Sequence, residues 1–335
     1  MFQTFTRPQG MLFPLTLMLS VIFILFSSPV RALEQKLNIV VSIPPQKYFA
    51  EQIGSDLVNV SVMLPPGASP HSFEPKPAQM VEIGNADIYL AIGVEYEKAL
   101  LPKIRSMHPD LKIVHTDKGI KKMSMTPHTH HHDHHHGHKH NHNHEHTGHN
   151  HDHGHTHNHD HHGHDCGTSG KDPHIWLSPD LVMVQASNIY HAMAHASPEN
   201  KGYFQENYIS FISEIIAIDQ EIKSIFSEIR PGTQFMVFHP AWGYFARAYG
   251  LIQIPVEVEG KEPKAADLKQ LIDTALHENI KVVFVSPQFS TRSARTIADS
   301  IEGKTISINP LAENWKDNMR QVAEKFRTAL TGDDH

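Results

Sequence analysis

From Lys36 onward the chain alternates between short β-rich apolar runs and amphipathic stretches. LNIVVSI, VNVSVMLP, DIYLAIG and KIVHT are separated by PQKYFAEQIG, PAQMVEIGNA and YEKALLPKIRSM. Near-continuous apolar strands joined by helix-length crossovers predict a parallel sheet covered on both faces. The rhythm returns later, with QFMVFH, IQIPVEV, KVVFVSP and KTISIN separated by AWGYFARAYG, AADLKQLIDTALHEN and STRSARTIADSIEG. A last helix follows from about Asn314 to Leu330. Between the two series a helical stretch runs from Ser178 or Asp180, either of which suits a cap, to about Ala196. Then Phe204, Tyr208, Phe211, Ile215, Ile218, Ile222, Ile225 and Ile229 recur at intervals of three and four. That spacing predicts one long helix with a single apolar face, stopped by Pro231-Gly232. The expected fold is α/β, with two lobes, each a four-stranded mainly parallel sheet flanked by helices, joined by one long rigid helix. The expected boundaries are 33–177 for the first lobe, 178–230 for the linking helices and 231–335 for the second lobe.

Two segments break this rhythm. Near the start, Arg7 is followed by an apolar run from Met11 to Phe26 and by SSPVRA ending at Ala32. The run is shorter than the roughly 20 residues of a spanning helix, and Val30 and Ala32 suit a signal peptidase. Residues 1–32 therefore read as a cleavable signal peptide, and the mature protein is expected in the periplasm. No cysteine lies near the cleavage point, so no lipid anchor is expected. The second break, 127–166, holds more than half of the chain's 30 histidines and almost no aliphatic residue. It cannot build a core and reads as a disordered insertion in the first lobe.

Composition narrows the class of function. The net charge of -7 comes without a basic patch interleaved with aromatics, which argues against a nucleic-acid partner. Cys166 is the only cysteine, so no internal disulfide forms, and stability has to come from packing.

In open parallel sheets ligands bind beyond the carboxyl ends of the strands. Four polar residues stand there: His71 in PPGASPHSFEP, His174 in DPHIWLSP, His239 in VFHPAW and Asn309 in SINPL. Three imidazoles and one oxygen-bearing side chain, divided between two lobes, suit a borderline cation such as zinc. Prolines flank each histidine (Pro70, Pro173, Pro240) and restrict the backbone that presents the ring.

PPGASPHSFEPKPAQM, NADIYLAIGVEYE, DPHIWLSP, FHPAWGYFARAYGL, GKEPKAADL and FVSPQFSTRSARTIA together resemble the cluster A-I (cluster 9) metal-binding receptors of ABC importers, and within them the zinc receptors. The resemblance covers nearly the whole mature chain. It implies two lobes on a rigid helical backbone, with His71, His174 and His239 as metal ligands and an ABC importer permease as partner. Manganese receptors of the family carry a glutamate where this chain has His239, so imidazole there favours zinc. The chain departs from many relatives in carrying Asn309 in place of an aspartate. The fourth position is left to water, to the Asn309 carbonyl oxygen, or to a nearby carboxylate such as Glu74, which equally suits a supporting role.

Three classes of function are open to a zinc-binding chain of this kind: an enzyme, a receptor and a store. A zinc hydrolase needs a general base at the open position, and no His-Glu-x-x-His, P-loop, dinucleotide glycine pattern or Gly-x-Ser-x-Gly occurs; no enzyme is expected. A receptor needs only capture and release, and a monomeric zinc receptor is the reading adopted. The alternatives are a receptor for manganese or another divalent ion, or a zinc store in which the histidine-rich insertion is the working element. Within the receptor reading that insertion is an accessory zinc collector, with His130, His131, His132, His134, His135, His136, His138 and His140 among its histidines. Free imidazoles titrate near 6.5, so mild acid should empty it.

Overall fold

The computed structural model describes residues 1–4, 36–125, 170–257 and 261–332. The expected signal peptide beyond its first four residues, the insertion 127–166 with His130, His131, His132, His134, His135, His136, His138 and His140, and Cys166 lie outside the described residues. The chain divides into a unit ending at Lys36 and a second unit, Leu37–His335, that contains every described helix and strand. Among the described residues no helix is long and apolar enough to cross a membrane.

Within the second unit the first lobe runs β1 (Leu37–Val41), α1 (Pro44–Gly54), β2 (Val58–Val62), α2 (Pro77–Gly84), β3 (Ile88–Ala91), α3 (Glu97–Met107) and β4 (Lys112–His115). The second lobe repeats it with β5 (Gln234–Val237), α6 (Gly243–Ala248), β6 (Ile252–Pro255), α7 (Ala265–His277), β7 (Val282–Val285), α8 (Arg292–Ser300) and β8 (Lys304–Ser307). Every strand pair is parallel, in the orders β2-β1-β3-β4 and β6-β5-β7-β8. Both orders reverse beside the first strand of the lobe, and loops leaving there open a crevice at the carboxyl ends.

The central strands are mostly apolar because both faces are covered, with Asn38 and Gln234 near their starts as the polar exceptions. In β7, Val282 and Phe284 join one core while Val283 and Val285 join another under α7 and α8, the period of two that a strand imposes. The edge strands β4, β6 and β8 are only partly buried, as their more polar sequences require.

Two helices, α4 (Pro179–Ala196) and α5 (Lys201–Ile225), pack together between the sheets. Ser178 precedes α4, but its hydroxyl bonds to the Asp180 side chain rather than capping a backbone N–H. The long helix α5 buries Phe204, Phe211, Ile215, Ile218 and Ile222 along one stripe. It ends at Ile225, short of the Pro231-Gly232 stop that the spacing predicts. Beyond it the chain tightens into three-residue turns, Ser227 N–H to Ser224 O and Ile229 N–H to Phe226 O, and the Phe226 ring lies edge-on against Phe245 and Tyr249.

The helix α5 touches both lobes. Phe211 meets Phe49 of α1 with ring centres 5.8 Å apart, and Glu214 and Glu221 pair with Lys316 and Arg320 of α9 (Trp315–Thr331). A fully buried side chain of this size contributes about 1.5–3 kcal/mol, against less than about 1 kcal/mol for an exposed ion pair. The apolar stripe therefore carries the strut. Two buried indoles add a second tie: Trp176 Nε1 donates to Pro310 O and Trp315 Nε1 to Trp176 O, each at 2.6 Å.

Candidate metal centre

Three segments deliver three of the predicted side chains to one place. His71 stands on the loop after β2, with the Pro70 ring fixing the residue before it. His239 follows β5 by two residues, and Phe238 N–H bonds to Phe284 O on β7, so the ring leaves the sheet at a fixed height. His174 opens the short 3-10 turn Ile175–Leu177 that the two indoles hold. His239 and His174 are 2% and 5% exposed, whereas the His71 side chain is 35% exposed.

The Nε2 of His239 lies 3.4 Å from the Nε2 of His71 and 3.4 Å from that of His174. On its other side each ring faces a carboxylate: His71 Nδ1 is 2.7 Å from Glu95, His174 Nδ1 is 2.7 Å from Asp172, and His239 Nδ1 is 2.9 Å from Glu257. A carboxylate only accepts, so Nδ1 carries the hydrogen and the Nε2 of each neutral ring presents its lone pair. Lone pairs facing one another at this distance repel, and a shared cation or proton relieves them. Among the described residues no trio of His, Cys, Asp or Glu is already closed into an ion cage. What is built is two edges that meet at His239.

Burial pushes the His239 ring from its ordinary 6.5 down to about 4. Glu257 opposes the drop through its hydrogen bond, while the neighbouring His174 and His71 rings deepen it. The Phe289 ring stacks on His239 with centres 4.3 Å apart and planes at 25°, and Trp176 lies 5.1 Å from the His174 ring. Aromatic cover of this kind keeps water from the two inner rings.

The other two candidates are not brought to the histidines in the same way. The Oδ1 of Asn309 accepts from Gln288 Nε2 at 2.8 Å and from Leu311 N–H at 3.0 Å, so this oxygen shapes the loop after β8. Glu74 is exposed and makes no hydrogen bond or ion pair with the described residues. The carboxylates Glu95, Asp172 and Glu257 and the ring of Phe289 were not foreseen. The strand-end rule that selects the histidines also reaches them: Glu95 follows β3, Glu257 follows β6 and Phe289 follows β7, while Asp172 stands two residues before His174.

This chain is similar over most of its length to known proteins. In Bacillus subtilis the high-affinity zinc uptake system protein ZnuA is 30% identical, over 82% of this chain and 79% of the relative. The ZnuA protein of Paracoccus denitrificans is 34% identical, over 80% and 81%. A crystal structure of ZnuA superposes with a TM-score of 0.73 at 37% identity, covering 88% of this chain and 99% of the other. A ZnuA deletion mutant with zinc bound gives the same score and identity, over 88% and 98%. Residues 39–329 match the family described as ZnuA, zinc-uptake complex component A, periplasmic, and with relatives this similar over most of its length the chain belongs to that family.

Proposed function

We propose that this protein is the zinc receptor of an ABC-type importer, capturing the ion in the cleft between its lobes on the Nε2 atoms of His71, His174 and His239 and passing it to a membrane permease. The observation that carries this reading is the spacing of the rings. A zinc–nitrogen bond of about 2.0–2.1 Å makes the edge of a tetrahedron about 3.3–3.4 Å, and the two edges at His239 are 3.4 Å. The third edge closes as the ion arrives, His71 being the exposed ring with room to turn. Each ligand then has a carboxylate behind it, an arrangement that fixes the tautomer and strengthens the nitrogen as a donor. Water takes the fourth position, since the Asn309 oxygen is committed to two donors. Nothing in the reading requires turnover, and the protein acts as a monomeric receptor rather than an enzyme. Its periplasmic location follows from a cleaved N-terminal signal, and the insertion 127–166 serves as an accessory collector.

Calorimetry on the mature protein tests this. One tight zinc event per chain is expected, abolished when His71, His174 and His239 are all replaced by alanine. Deleting 127–166 should leave that event and remove weaker ones. A tight event that survives the triple replacement overturns the assignment.

A further inference from the structure

The chain leaves for residues 126–169 and returns through a short neck. Ser124 and Lys171 form an antiparallel bridge, Met125 N–H donates to Gly170 O at 3.0 Å and Asp172 N–H to Met123 O at 2.9 Å. Across this neck lies the hydroxyl of Tyr244, which comes from the other lobe and is 4% exposed. It accepts from Met123 N–H at 2.8 Å and donates to Asp172 O at 3.0 Å, so one oxygen holds both strands of the neck. Beside it Gly243 allows a close approach: a Cβ there would lie 3.3 Å from Asp172 Oδ2 and 3.4 Å from Met123 Cε. The other carboxylate oxygen, Asp172 Oδ1, receives the backbone N–H of His174 at 2.9 Å and its Nδ1 at 2.7 Å.

We propose that Tyr244 is a positioning residue for metal capture, acting through Asp172 to hold the His174 ring with its Nε2 toward His239. The inference rests on the zinc-site reading above and adds to it a link between lobes: the stretch that carries His239 also clamps the holder of His174. Without the hydroxyl, the Met123 N–H and the Asp172 carbonyl lose a partner in a buried place, where an unmet polar group is costly. The neck strand then moves to find another partner, Asp172 moves with it, and His174 gains a second orientation.

The test compares Tyr244→Phe with Tyr249→Phe in the mature full chain. The Tyr249 hydroxyl bonds to Asp219 of α5 at 3.1 Å rather than to the neck, so its loss controls for removing a phenol. Zinc release is followed by stopped-flow competition with a chelator, and the ring nitrogens of His174 by long-range proton–nitrogen NMR of the metal-free protein. For Tyr244→Phe the expected result is release about 10-fold faster, at the low end of the range for residues that orient a ligand, with His174 nitrogen shifts moving toward a mixture of tautomers. Tyr249→Phe should match the parent in both. A purely structural role would lower the melting temperature and leave the His174 shifts and the release rate alone, and that outcome overturns the proposal. If Tyr244→Phe does not fold, Gly243→Ala keeps the hydroxyl and crowds Asp172 from the same side; unchanged His174 shifts there overturn it equally. Absence of a tight zinc event in the parent protein would sink the site reading instead, while the nitrogen shifts would still decide the role of Tyr244.

Discussion

The depressed pKa of His239 makes metal-free protein lose stability in acid over a defined window. Unfolded, the ring takes a proton near 6.5; folded, burial delays this to about 4. Between those values the unfolded state binds the extra proton, so stability rises with pH across the window. Above pH 6.5 the ring is neutral in both states and contributes no dependence. Below about pH 4 it is charged in both, and the full loss is present. The gap, at about 1.4 kcal/mol per pH unit, is about 3 kcal/mol, a sizeable share of the 5–15 kcal/mol or so typical of a domain. His239→Gln removes the titrating group from the same buried place. Urea unfolding of the metal-free protein at several pH values between 4 and 7 should therefore show a steeper fall for the parent than for the variant, and an NMR titration of His239 Cε1–H should give its midpoint directly. A midpoint above 6, or parallel stability curves, would refute the reasoning, because either means that the ring gains its proton in the folded state as easily as in the open chain.

Three further outcomes follow from named contacts. Glu257→Gln and Asp172→Asn keep an acceptor beside Nδ1 but remove its charge, and each should weaken zinc binding by about 10–100-fold in calorimetry, with no change in the one-to-one stoichiometry. Phe289→Ala strips the ring stacked on His239; admitting water there should raise the His239 midpoint toward 6.5, read by the same NMR titration. Gly303→Ala places a Cβ 2.2 Å from the Lys281 carbonyl oxygen, which is backbone and cannot swing aside, so a loss of about 1–3 kcal/mol is expected in urea unfolding with zinc affinity unchanged.

The repeated lobes were legible because β1, β3, β5 and β7 are covered on both faces along most of their length and so spell mainly apolar runs. The three histidines were legible for a topological reason: in a parallel sheet, residues just past a strand's carboxyl end share the crevice. The end of α5 was not, because Ile229 continues the helical spacing of Ile222 and Ile225 while packing against the core from a turn beyond the helix. Spacing reports which side chains are buried, and the hydrogen-bond pattern decides whether the backbone between them is helical. The carboxylates behind the rings stayed hidden because a carboxylate next to a strand end usually faces water. Only the tertiary meeting of the loop after β3 with the loop after β2, and the pairing of β6 with β5, turn Glu95 and Glu257 toward an imidazole. Asn309 shows the converse case, a residue at the expected strand end whose oxygen is drawn into its own loop by Gln288 and Leu311.

The three rings differ in burial, and under the proposed receptor reading that difference would order the events of capture. With His174 and His239 nearly enclosed and Phe289 over the face of His239, an ion reaches the inner pair past His71, the one ring open to solvent. His71 is also the ring whose carboxylate partner, Glu95, is mostly exposed, so its orientation is held less firmly than that of the two rings backed by buried Asp172 and Glu257. A firmly held inner pair with a looser outer ligand divides the work of a receptor. In that reading the inner nitrogens and their carboxylates would supply affinity through a preset geometry, and the outer ring would close the third edge on arrival and be the first to let go. If the proposal holds, replacing all three by equally buried ligands would tighten binding and slow release together, the wrong trade for a receptor that has to hand its ion on.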